Sequence, residues 1–482
     1  MLGLQALTAK VRDWLGRGRR SLDGVVHKAS AQEDKTIGSP APTIIPRSEH
    51  GITRANISPN ALKVLYRLRA AGYQAFLVGG GVRDLLLGRE PKDFDVATDA
   101  RPEQVREVFR NCRLIGRRFR LAHVFFGNEI VEVATFRRMA VGAEDEDSQT
   151  EGGMILRDNV YGTIEEDALR RDFTVNALYY NIADFSVVDY ATGTQDLKDG
   201  VLRLLGPPDV RYREDPVRML RAIRFAAKLG LRIDPEAEAP LRELGFLLRD
   251  VASARLFEEV LKLFLFGFGL ESFEKLRHYD LFRRLFPDTE EALAHEESDF
   301  PITFVHNGLS GTDARVREGK SVTPFFLFAV LLWEPVRRRA QELQDDEGLD
   351  PFPAIEQASF EIVTAEVGRV ALPKRFSLPM REIWMLQHRF EQRGGRRPFR
   401  LLQHPRFRAA FDFLALRAQS GEVDPALALW WERFQAADTP GREALLRDAG
   451  GEGGAKRKRR RRRPRSRRDE HSGDPAPQAQ EP

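Results

Sequence analysis

Two periods of hydrophobic patterning run along this chain, and the change from one to the other divides it. NALKVLYRLRAAG (60–72) places apolar side chains every three or four positions and ends in glycine. That spacing predicts a helix stopped at Gly72. QAFLVGG (74–80) is a short apolar run entering glycines, as a buried strand does, and FDVAT, AHVFFG and EIVEVATF read as further strands. Helix and strand signals alternate over 51–200, which predicts a mixed-sheet α+β domain. Beyond about 210 the strand signal stops, and helical patterns rich in Arg, Phe and Leu continue to about 448. The predicted organisation is a first segment 1–50, a sheet domain 51–200, a helical neck 201–265, a helical body 266–449 and a disordered Arg-rich tail 450–482.

The ends follow other rules. Leu4, Leu7, Val11, Trp14 and Leu15 lie at helical spacing with Lys10 and Arg12 opposite, an amphipathic basic helix followed by a Pro-rich linker at 30–50. Three readings fit it: a docked terminal helix, a membrane-surface helix through residues 1–20, or an RNA-contacting arm. It lacks the uninterrupted apolar stretch and cleavage site of a signal peptide. The most apolar run, TPFFLFAVLLW (323–333), falls short of the ~18 residues a membrane span needs and reads as a buried helix.

Charge changes the picture only at one end. The chain carries 76 basic and 72 acidic residues, a net +4. The segment KRKRRRRRPRSRR (456–468) holds 11 basic residues and no acid, and removing those 11 from +4 leaves −7 for the rest. A polyanion partner is therefore expected at the tail. The single cysteine, Cys112, excludes a disulfide within the chain and fits a cytoplasmic location.

Candidate chemistry sits in LVGGGVRDLLLGREPKDFDVAT (77–98). In a strand, Asp93 and Asp95 point the same way and Phe94 the other. Paired carboxylates suit Mg²⁺, and two such ions are a standard clamp for in-line attack at phosphorus. Gly79 and Gly80, where the strand turns into a helix, free backbone N–H groups for phosphates, and Arg83 can add a charge-assisted bond. Glu132 on a neighbouring strand and Asp172 in EEDALRRDFTVNALYY are candidates for a third acid, Asp172 also as N-cap of a helix FTVNALYY. Arg170 and Arg171 beside it would hold phosphate oxygens, and Asp172 and Asn176 share a helix face. In REDPVRMLRAIRF, Asp215 and Pro216 open a helix, and Arg218, Arg221 and Arg224 follow at three-residue spacing. A carboxylate acceptor beside a guanidinium donor fits the amino-donor, ring-acceptor edge shared by adenine and cytosine, and rejects guanine and uracil.

The successive motifs GGGVRDLLLG, KDFDVAT, RRDFTVNAL and YREDPVRMLRAIRFAAKLG resemble those of the bacterial template-independent nucleotidyltransferases, the family of tRNA CCA-adding enzymes and poly(A) polymerases. The resemblance implies a nucleotidyltransferase head domain with helical neck and body. It implies Asp93, Asp95 and Asp172 as catalytic acids, two Mg²⁺ on Asp93 and Asp95, and a nucleotide held by Gly79, Gly80, Arg83, Arg171, Asn176, Asp215, Arg218 and Arg221. CRLIGRRFRLAHVFF (112–126), SARLFEEVLKLF (253–264) and RRPFRLLQHPRFRAAFDFLALR (396–417) resemble the polymerase branch. That branch implies AMP transfer from ATP to RNA 3′ ends in the cytoplasm, linked to the RNA-decay machinery. The alternatives are CCA addition to tRNA and, from another class, a non-catalytic RNA-binding protein.

Overall fold

A computed structural model describes residues 41–116, 120–139, 148–151, 154–158, 160–294 and 300–457. The amphipathic segment at 1–20 and the residues after 457 lie outside them. The chain divides into two units, Met1–Thr43 and Ile44–Pro482, and the second is described here.

Among the described residues, the head carries ten strands with helices between them: β1 (Thr43–Ile45), β2 (Ala75–Val78), β3 (Asp95–Thr98), β4 (Cys112–Ile115), β5 (Leu121–Phe126), β6 (Glu129–Thr135), β7 (Ser148–Glu151), β8 (Met154–Asp158), β9 (Leu178–Asn181) and β10 (Val187–Asp189). β7 and β8 pair only with each other, and the remaining eight form one sheet in the order β1-β10-β9-β2-β3-β6-β5-β4. β3 and β6 run parallel and β2 runs antiparallel to β3. The sheet is thus mixed, as expected.

Side-chain alternation splits the strands between two faces. Leu77, Val96, Val124, Val133 and Tyr180 pack on one side with Val64, Leu65 and Leu68 of the helix Pro59–Ala70 and Val105 of the helix Pro102–Val108. Phe76, Val78, Ala97 and Tyr179 turn to the other side, which carries a smaller apolar cluster with Phe136 and Ala168. That second face is where the chemistry collects.

Two expectations need correction. FTVNALYY is not a helix: Thr174–Asn176 is a single 3₁₀ turn and Leu178–Asn181 is β9, flanked by β2 and β10. A central strand buried on both faces shows no alternation, so its apolar run mimics a buried helix. Strand pairing also persists past the head, in the parallel pair Val201–Leu202 with Arg232–Ile233.

The rest is helical. Pro208–Glu214 begins the series, and Val217–Leu229 after it ends at Gly230, in the left-handed conformation of a helix stop. Its buried side packs into a large core that runs on through Ser253–Phe264 to Trp333 and Trp384. TPFFLFAVLLW becomes the helix Pro324–Leu331, with Leu327 to Trp333 buried. The helix Thr439–Arg457 carries regular structure past residue 450, where disorder was expected to begin. Among the described residues, no helix is long and apolar enough to cross a membrane.

Candidate active site

The backbone register lines up the candidate acids. Tyr179 pairs with Val78, Val78 with Asp95, Asp95 with Glu132, and Glu132 with His123. Paired residues of adjacent strands point to the same face, so this row crosses the sheet on the side away from the main head core. Asp93 precedes β3 and is exposed, while Phe94 packs against the opposite core, as predicted. Burial, then the carboxylate of Glu132 and that of Asp93, push the Asp95 carboxyl up to about 6, against a lowering pull from Arg171. Glu132 also bonds His123 Nε2, at 3.2 Å.

The glycines shape the wall beside this row. Gly79 has φ of +71°, in the left-handed region, and a Cβ there would lie 3.4 Å from Nη1 of Arg171. Gly81 is held by close approach: its Cβ would meet the carbonyl oxygen of Asp93 at 3.4 Å. The helix Gly80–Leu86 therefore starts hard against the Asp93 backbone. Arg83 of that helix is buried, donating to Asp84 Oδ1 through Nε at 2.8 Å and Nη2 at 2.7 Å, and to Asn176 Oδ1 through Nη1 at 2.5 Å.

Asp172 is placed differently from Glu132. Its Oδ2 accepts from Nε and Nη2 of Arg221 at 2.8 and 2.5 Å, and its Oδ1 accepts from Asn176 Nδ2 at 3.1 Å and the Phe173 N–H at 2.9 Å. Burial alone would raise this carboxyl; Arg221 and those hydrogen bonds override it and hold it well below the usual carboxylate range. The acid whose charge presses on Asp95 is thus Glu132, while Asp172 is neutralised by a guanidinium from Val217–Leu229.

The two predicted base-reading residues sit at the start of the helix Val217–Leu229, and both side chains are engaged elsewhere. Asp215 does not cap the helix with its side chain; it accepts from Nη1 and Nη2 of Arg255 at 3.1 and 3.0 Å. Arg218 Nη1 donates to the carbonyl of Arg211 at 2.8 Å and to Glu214 at 2.9 Å. The third arginine of the series, Arg224, bonds Glu259 at 3.2 Å, and the guanidiniums of Arg83, Arg221 and Arg224 all lie within 5.3 Å of the Phe225 ring centre. Arg211 donates to the carbonyls of Arg170 and Arg171 at 2.5 and 2.6 Å, tying the RRD segment to the neck. Asp167, Tyr179, Arg211, Glu214 and Arg255 were not singled out in the sequence; the only available signal was their position inside or beside the quoted motifs.

The donor set suits magnesium. Among the described residues, no three His, Cys, Asp or Glu side chains close up tightly enough to hold a metal alone. Mg²⁺ typically takes one or two carboxylates and completes its shell with water and substrate phosphates. Asp93 and Asp95 provide such a pair, and the raised carboxyl of Asp95 records its burial and then the neighbouring carboxylates, whose charge a divalent cation would offset.

Comparison with known proteins now decides the family. Residues 75–203 match the family model described as the Poly A polymerase head domain, 230–293 the probable RNA and SrmB-binding site of polymerase A, and 347–467 the polymerase A arginine-rich C-terminus. Poly(A) polymerase I of Salmonella typhi is 50% identical over 429 residues, covering 88% of this chain and 92% of that one. The chain belongs to the poly(A) polymerase I family. As a member of it, the protein is a nucleotidyltransferase enzyme that adds poly(A) to RNA. The CCA-adding enzyme of Bacillus subtilis is 38% identical over only 203 residues, 42% of this chain and 49% of that enzyme. A solved structure titled tRNA-processing enzyme (apo form I) superposes with a TM-score of 0.55 at 23% identity, covering 84% of this chain and 99% of that one, which shows a shared fold.

Proposed function

We propose that this poly(A) polymerase family member transfers AMP from ATP to RNA 3′ ends without a template, releasing pyrophosphate. The observation that carries the site is the register row in which Asp95 and Glu132 stand side by side, with Asp93 and the Gly79 turn next to them. Asp93 and Asp95 would hold two Mg²⁺. When bound, these ions would lower the pKa of the RNA 3′-hydroxyl and neutralise the triphosphate. Glu132 is the third acid of the cluster. Asp172 keeps a place at the nucleotide as the anion that orients Arg221 and Asn176.

Gly79, Gly80, Arg83 and Arg171 line the phosphate end. Asp215 and Arg218 read the base, with Arg255 and Glu214 fixing their planes before the nucleotide arrives. No covalent intermediate is formed, so alignment and fixed charge do most of the work. The Arg-rich tail adds sequence-independent attraction for RNA phosphates. Action in the cytoplasm and a link to RNA turnover complete this reading. CCA addition is disfavoured by the partial match to CCA-adding relatives.

The test is a gel assay with an unstructured RNA bearing a free 3′-hydroxyl, Mg²⁺ and each nucleoside triphosphate separately. A long ladder with ATP alone is expected. No extension of that RNA, with C and A added only to tRNA lacking its end, would overturn the polymerase reading. Asp93→Ala should abolish transfer with the melting temperature unchanged, since Asp93 is exposed.

A further inference from the structure

A buried polar triad lies behind the site, in which two residues that the mechanism does not use, Asp167 and Tyr179, hold Arg171. Asp167 sits in the short helix Ile164–Leu169, and Tyr179 sits in the register row beside Val78 and Asp95. Both are buried, Tyr179 completely. Asp167 Oδ2 accepts from the Tyr179 hydroxyl at 2.6 Å and from Arg171 Nη2 and Nε at 3.0 and 3.3 Å. Arg171 Nε also donates to the Tyr179 oxygen at 2.9 Å, and the guanidinium carbon lies 5.3 Å from the Tyr179 ring centre. The other carboxylate oxygen of Asp167 accepts the backbone N–H of Arg137 at 3.2 Å, which anchors the triad to the end of β6. Burial would raise the Asp167 carboxyl; Arg171 and the Tyr179 hydroxyl outweigh it and hold the group ionised.

The bonds are unequal around the guanidinium. Nε and Nη2 of Arg171 are committed to Asp167 and Tyr179. Nη1 has no hydrogen bond among the described residues, and it is the atom that faces Gly79. The same side chain lowers the Asp95 carboxyl, so its charge reaches the metal-binding end as well. Two of the three nitrogens are anchored and one is presented at the mouth of the phosphate turn.

We propose that Asp167 and Tyr179 are positioning residues, a clamp that fixes Arg171 so that Nη1 meets the triphosphate of the incoming nucleotide. The inference rests on the reading of Arg171 as a phosphate holder. An arginine free to rotate loses side-chain entropy when it binds, and a clamped one has lost it on folding. The fork geometry of guanidinium and carboxylate makes the clamp directional.

The experiment measures affinity of the full chain for ATP and for inorganic tripolyphosphate, by titration calorimetry, in wild type, Tyr179→Phe, Asp167→Asn, Arg171→Ala and the double variant Tyr179→Phe/Arg171→Ala. Tyr179→Phe is nearly isosteric, and thermal melting checks that each variant folds. Both clamp variants should weaken tripolyphosphate and ATP about three- to tenfold, the range for the net worth of one typical hydrogen bond. Arg171→Ala should weaken them at least as much, and adding Tyr179→Phe to it should cause no further loss. Equal losses from Tyr179→Phe with and without Arg171 would overturn the clamp, as would clamp variants with unchanged affinity beside a weakened Arg171→Ala. Unchanged tripolyphosphate affinity in Arg171→Ala would overturn the phosphate role of Arg171 itself, and the clamp with it.

Discussion

Asp95 and Asp172 show how one residue type acquires opposite properties within one site. Burial, together with the other carboxylates on its side of the sheet, pushes Asp95 up to about 6. Asp172 faces Arg221 and is held low. The folded chain binds the Asp95 proton more tightly than the unfolded chain, whose value is ~3.9. Asp95 therefore contributes to stability below about pH 4 and loses that contribution as pH rises through 6. Asp95→Asn should raise the stability of the metal-free protein at pH 8 by about 1–3 kcal/mol, while abolishing transfer. Urea unfolding at pH 8 and pH 4 checks this, and the gain should vanish at the lower pH. Asp172→Ala should do the reverse, leaving the half-buried Arg221 without its partner and costing about 1–3 kcal/mol in the same assay. These differences were not legible in the sequence, because burial and partners 49 residues away set them. The DxD spacing and the glycines were legible, since both follow from local backbone geometry.

Among the elements, the turn from β2 into Gly80–Leu86 was read correctly and β9 was not. The turn announces itself through glycines whose need is local: a positive φ at Gly79 and a close approach at Gly81. β9 was hidden because this strand in the middle of the sheet has Leu178, Tyr179 and Tyr180 buried in a row, with no alternation to mark it. The Arg255–Asp215 bond escaped for another reason: two helices 40 residues apart must first pack before it forms. Gly79→Ala forces an L side chain into the left-handed region and pushes a methyl toward Arg171 Nη1. The strain alone is about 1–2 kcal/mol, and ATP affinity should fall at least tenfold, as measured by calorimetry.

Over the whole molecule, charge is distributed by length scale. Inside, arginines are matched to carboxylates and aromatic rings. At the end, residues 456–468 carry positive charge with no acid to match it. Because the helix Thr439–Arg457 carries structure past residue 450, a truncation after 457 keeps that element whole. Removing 458–482 should weaken RNA binding most at low salt and flatten the dependence of log affinity on log salt concentration. Filter binding across a salt series measures this, with ATP affinity as the unchanged control.

The seam between sheet and helices has a mechanical consequence. It is crossed by Asp172 with Arg221, by Arg211 on the Arg170 and Arg171 carbonyls, by Lys228 with Asp84 at 3.3 Å, and by Phe173 edge-on to Phe225 at 5.7 Å. A joint fastened at so many points behaves as a weld rather than a hinge. After each addition the RNA must retreat by one nucleotide, and a welded frame cannot ratchet it along by opening and closing. The strand itself has to slide over a stationary site, so dwell time per nucleotide should depend on how firmly the RNA is gripped. A donor dye on Cys112 and an acceptor on a cysteine introduced in the body should report one separation throughout elongation.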